Sequence, residues 1–110
     1  MRRFAIVTGV VLLSLAVGAH AAPRKPAPRV FTITVDKLAF GPAPSGLKVG
    51  DVVEWVNKDI FQHSATARDK SFDVELKAGG KGRAVLRKAG NIAYICRYHP
   101  GMTGVLKVGR

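Results

Sequence analysis

A chain of 110 residues with 47% hydrophobic content supports one compact domain and leaves no room for a second. Its formal charge of +11 invites anionic partners, but no helical or Arg-aromatic recognition pattern points to nucleic acid. A single cysteine, Cys96, excludes any intrachain disulfide.

The start of the chain reads as a signal peptide over residues 1–21. Arg2 and Arg3 form a basic n-region, Phe4 to Val17 an apolar h-region, and Ala19-His20-Ala21 an A-x-A cleavage site. A transmembrane anchor needs about 20 apolar residues, and this run is shorter. The expected mature protein is therefore exported, starts near Ala22, and is not stably inserted in the membrane once cleaved. Cleavage removes Met1 and His20, leaving one Cys, one Met and two His. A lone thiol in an exported domain is free, shared with another chain, or capped by something other than sulfur, and a metal would cap it.

Residues 22–29, A-P-R-K-P-A-P-R, cannot form a helix interior or a central strand. They read as a flexible basic tail, more a solvated leader than an electrostatic tether. From Val30 onward short apolar runs of period two, rich in Val, Ile, Phe and Tyr, alternate with Gly, Pro, Asn and Asp. The pattern predicts an all-β domain over 30–110, a sandwich of about eight strands.

The clearest strands are Val30 to Asp36, with Phe31, Ile33 and Val35 on one face, and Val52 to Asn57, with Val53, Trp55 and Asn57 on one face. Others are expected at Ser71 to Lys77, Gly82 to Lys88, Asn91 to Cys96 and Gly104 to Val108, with shorter pieces near Leu38 to Phe40, Leu47 to Val49 and Ser64 to Ala67. Gly41-Pro42, Gly50-Asp51, Gly79-Gly80 and Ala89-Gly90-Asn91 supply turn chemistry between them. The Gly79-Gly80-Lys81-Gly82 run lacks the strand, helix and Ser/Thr context of a phosphate loop.

The segment that carries chemistry is Tyr94-Ile95-Cys96-Arg97-Tyr98-His99-Pro100-Gly101-Met102. It places a thiolate, an imidazole and a thioether at spacing C-x-x-H-x-x-M. Ile92, Tyr94 and Cys96 share one strand face, so an inward Tyr94 brings the sulfur inward as well. Soft thiolate and thioether ligands with imidazoles select copper, and two His, one Cys and a weak axial Met form the blue-copper set. Zinc fits less well, because structural zinc rarely takes Met and no paired cysteines are present. The second imidazole must come from His63, the other histidine of the mature chain. The expected metal ligands are thus His63, Cys96, His99 and Met102, around one copper ion.

On these residues the sequence resembles the cupredoxin family, in particular its amicyanin and plastocyanin-like members. The resemblance runs from about Val30 to Val108. It rests on Phe40-Gly41-Pro42, on Gly50-Asp51-Val52-Val53-Glu54-Trp55-Val56-Asn57 followed by His63, on Ala89-Gly90, and on the short Cys96 to Met102 loop. It implies a Greek-key sandwich, a single copper cycling between Cu(II) and Cu(I), and one-electron transfer in the bacterial periplasm. It further implies that Asn57 braces the site near the cysteine, while Trp55 and Tyr94 pack the core. Asp59 and Glu54 read as surface charge.

The function expected is that of a monomeric electron carrier, not an enzyme. Its partner is a redox protein with an acidic docking surface, of the cytochrome c, dehydrogenase or oxidase type. The alternative is a periplasmic copper carrier or buffer that hands over the ion. A copper enzyme is disfavoured because four protein ligands leave no open position.

Overall fold

The computed structural model describes residues 2–6, 9–16, 18 and 26–110. The expected cleavage site at Ala19 to Ala21 and tail residues 22–25 lie outside the described residues. The described residues before Val30 form no helix or strand, and no described helix is long and apolar enough to cross a membrane.

Nine strands follow, one for each of the nine segments named from the sequence: β1 (Val30–Asp36), β2 (Ala39–Phe40), β3 (Leu47–Lys48), β4 (Val52–Asn57), β5 (His63–Ala67), β6 (Asp73–Leu76), β7 (Lys81–Val85), β8 (Gly90–Cys96) and β9 (His99–Gly109). They make two mixed sheets, ordered β2-β1-β4-β7 and β3-β9-β8-β5-β6. β1 and β4 run parallel, with Val30 opposite Val52 and Val35 opposite Asn57. β8 and β9 form an antiparallel hairpin whose register shifts between Ile95 and Cys96, so that Cys96 faces His99. β9 therefore begins at His99 instead of Gly104. Pro100 and Gly101 have little strand propensity of their own, and it is pairing across the hairpin that extends the strand.

Alternation put the right side chains inside. Ile33 and Val35 of β1, Val53 and Trp55 of β4, and Ile92, Tyr94 and Cys96 of β8 all belong to one core cluster. Trp55 and Tyr94 meet edge to face with ring centroids 5.7 Å apart, and the indole Nε1 donates to the Tyr94 hydroxyl at 3.4 Å. Fully burying an aromatic or aliphatic side chain of this size contributes about 1.5–3 kcal/mol. Tyr94 lies opposite Gly104, where an added Cβ would sit 2.5 Å from its ring, so only glycine lets the phenol lie flat on β9.

The registers also define two ends. β1 and β4 terminate, and β7 begins, where Asn57 N–H donates to the Gly80 carbonyl and Lys58 N–H to that of Val35. β5 and β9 start, and β6 and β8 stop, at the same end. The opposite end gathers Arg29, the Leu47–Asp51 turn, the Arg68–Ser71 turn, Leu86 to Gly90 and the last residues of β9.

Candidate metal centre

Cys96 closes β8 on its inward face and is fully buried. His63 opens β5, one residue ahead of the strand start expected at Ser64, and is also fully buried. His99 opens β9 and is partly exposed. One ligand atom from each residue lies within 4.8 Å of the others, so the three could hold a single metal ion. The Cys96 Sγ is 3.6 Å from His63 Nδ1 and 3.7 Å from His99 Nδ1. Met102 follows three residues along β9, 5% exposed, in the core cluster that contains Cys96.

The orientation of His63 has a definite cause. Its Nε2 is 2.9 Å from Asp59 Oδ2, and an ionised carboxylate only accepts, so Nε2 carries the proton and Nδ1 keeps its lone pair for the cluster. Asp59 Oδ2 also accepts the Leu38 N–H at 2.9 Å. The hydrogen bond from His63, then that from the Leu38 backbone, holds the Asp59 carboxyl below the usual carboxylate range. Asp59 is therefore not the free surface charge expected from the sequence. Its side chain is only 11% exposed and is committed to the histidine.

Asn57 braces the site, but through the polypeptide and not at the cysteine. Its Nδ2 donates to the carbonyls of Phe61, Leu76 and Lys77 at 2.8, 3.0 and 3.2 Å, and its Oδ1 accepts the Asp59 N–H at 2.9 Å. These bonds fold the 57–63 connection over the end of the sandwich and carry Asp59 to His63. The contact with sulfur comes from Ser64, whose backbone N–H donates to Cys96 Sγ at 3.4 Å while its hydroxyl accepts the Arg97 N–H at 2.9 Å. Ser64 thus ties β5 to the turn that follows Cys96. Sequence reasoning missed both Asp59 and Ser64. The only available signal was adjacency to His63, because Cys96 and Arg97, the partners that tie Ser64 to the site, lie more than thirty residues away.

The two residues between Cys96 and His99 are anchored outward. Arg97 pairs with Asp73 and Glu75 of β6, and the Tyr98 hydroxyl donates to Glu75 at 2.8 Å. The Phe61 ring stands edge-on to His99 with centroids 6.0 Å apart. Phe61 is 46% exposed, and its neighbour Ile60 83%.

No protein-family model matches the chain, and no curated protein matches its sequence. Solved structures do match it. The reduced form of a tryptophan-to-tyrosine variant of amicyanin superposes with a TM-score of 0.66 at 21% identity, covering 76% of this chain and 85% of that one. The Cu(I) form of a methionine-to-alanine variant of amicyanin gives 0.66 at 22%, with the same coverage. The Cu(I) form at pH 4 of a proline-to-glycine variant of amicyanin gives 0.64 at 24%, again over 76% and 85%. The fold is that of amicyanin, a cupredoxin. In this amicyanin-like sandwich the His63, Cys96 and His99 cluster has the donor set of a type 1 copper site. A thiolate with two Nδ1 donors is a soft, nitrogen-and-sulfur set suited to copper.

Proposed function

We propose that the chain is an exported, periplasmic one-electron carrier whose His63, Cys96 and His99, with Met102, would hold one copper ion. Residues 1–21 are its signal peptide, 22–29 a tail and 30–110 the copper domain. The observation that carries this reading is a buried thiolate flanked at 3.6 and 3.7 Å by two imidazole Nδ1 atoms at one end of an amicyanin-like sandwich.

Copper, when bound, supplies the Cu(II)/Cu(I) couple. The chain supplies a fixed ligand cage. Asp59 sets the His63 ring, Ser64 holds the sulfur and the turn after it, and Asn57 fastens the connection that bears Asp59. His99 gives the cage its outlet, since it alone of the three cluster residues reaches solvent and stands beside the exposed Phe61 ring. Lys37, Lys58 and Lys77 are exposed on the same end, which suits a redox partner with an acidic docking surface, such as a cytochrome c, dehydrogenase or oxidase. Burial of Cys96, His63 and Met102 weighs against a carrier that releases the ion.

The test is the visible and electron paramagnetic resonance spectrum after one equivalent of Cu(II). An intense blue colour with narrow copper hyperfine splitting is expected, and Cys96→Ser should abolish it. A pale solution with ordinary splitting would remove type 1 ligation and with it the electron-carrier reading.

A further inference from the structure

The positive charge of the folded domain is not spread evenly. At the metal end, five Lys and Arg side chains (Lys37, Lys58, Lys77, Lys81 and Arg97) stand with four carboxylates, Asp36, Asp59, Asp73 and Glu75. At the opposite end, eight stand with only Asp51 and Asp69. Arg29 is taken by Asp51 and Lys88 by Asp69. Lys48, Arg68, Lys70, Arg87, Lys107 and Arg110 are all exposed and form no ion pair among the described residues. Most of the excess charge therefore sits away from the metal.

Two further observations bear on what this end meets. Lys48 and Lys107 flank an open depression of about 400 Å³, lined also by Asn91 and by Gly46, Gly90 and Gly109. Arg29, the last residue before β1, is itself held at this end by two hydrogen bonds to Asp51. Clusters of four to eight cations facing one way are what an anionic lipid surface recognises, each contributing about fivefold in affinity.

We propose that the pole opposite the metal is a docking surface for anionic phospholipid headgroups, which holds the domain on a membrane face with the His99 end turned outward. The contact is peripheral and electrostatic. It does not require a bound metal, so its failure and that of the electron-carrier reading are separable.

The experiment is sedimentation of metal-free residues 22–110, which contain every core side chain and strand among the described residues, with vesicles of phosphatidylglycerol and phosphatidylcholine or of phosphatidylcholine alone. Binding is expected to the anionic vesicles only and to vanish as salt is raised to about 0.5 M. Lys48→Gln with Arg87→Gln, Lys107→Gln and Arg110→Gln should weaken it at least about thirtyfold. Lys37→Gln with Lys58→Gln and Lys77→Gln, at the metal end, should leave it within about threefold. These side chains are exposed and unpaired, and unchanged circular dichroism would verify folding. Equal losses in both variants would overturn the proposal, as would no binding to anionic vesicles at low salt. Retention on polyglutamate without vesicle binding would assign the pole to an acidic protein and overturn it too.

Discussion

A carboxylate on the far nitrogen of a metal-binding histidine fixes both its tautomer and its ring plane. Asp59 stands in that relation to His63, at 2.9 Å and almost out of solvent, on a connection that Asn57 holds by four hydrogen bonds. Removing it frees the ring to turn and leaves a buried Nε2–H without a partner. Asp59→Ala should lower copper affinity by about 10- to 100-fold, measured by competition with a chelator, while Asp59→Asn, which keeps an acceptor, should lose less. Equal affinity in all three proteins would mean that the sandwich alone orients His63. Nothing in the pattern of residues warned of this role, since an acidic residue in a loop looks the same whether it faces water or a histidine four residues on.

Between elements, the corresponding joint is Asp51 at the opposite end. It accepts Arg29 Nε at 3.0 Å and Nη2 at 2.6 Å, and the Lys48 N–H at 2.8 Å. Its backbone carbonyl accepts the Leu86 N–H. One residue thereby joins the starts of β1 and β4, the end of β3 and the segment after β7. The Arg29 hydrogen bond, then that from the Lys48 N–H, holds the Asp51 carboxyl below the usual carboxylate range against the opposing effect of burial. A carboxyl whose folded-state pKa is depressed adds stability above its unfolded value, and that stability is lost as pH falls through the folded value. Asp51→Asn should therefore be less stable than the parent at neutral pH. The gap should narrow between about pH 5 and pH 2 in urea melts. A gap that stays constant would assign the joint to hydrogen bonding and not to charge. The strands it joins were largely legible from period-two alternation, and β1 and β4 have the bounds expected from the sequence. β9 was not, because its first residues owe their conformation to pairing with β8.

For the whole molecule, the division into two poles governs how charge acts. A seven-residue strand such as β8 spans about 20 Å, whereas the Debye length near 0.1 M salt is about 10 Å. A partner at His99 therefore senses mainly Lys37, Lys58 and Lys77, and little of the larger charge behind. Association with an acidic redox partner should slow as salt rises. Replacing these three lysines with Gln should lower the association rate severalfold in stopped-flow traces, and the far-pole replacements should change it less. If the far-pole set slows association more, docking does not occur at the metal end.

Composition, alternation and the C-x-x-H-x-x-M spacing determined the all-β class, most of the strands and a soft donor set, because these are local properties written within a few residues of one another. The meeting of His63 with Cys96, the contact of Ser64 with its sulfur, and the turning of Asp59 inward were decided only in the tertiary structure. So was the concentration of excess positive charge at one end, since Lys48, Arg87 and Arg110 become neighbours only when two sheets align their strand ends. Side-chain pattern specifies which face of a strand is buried. It carries no record of which distant strand end will stand beside it.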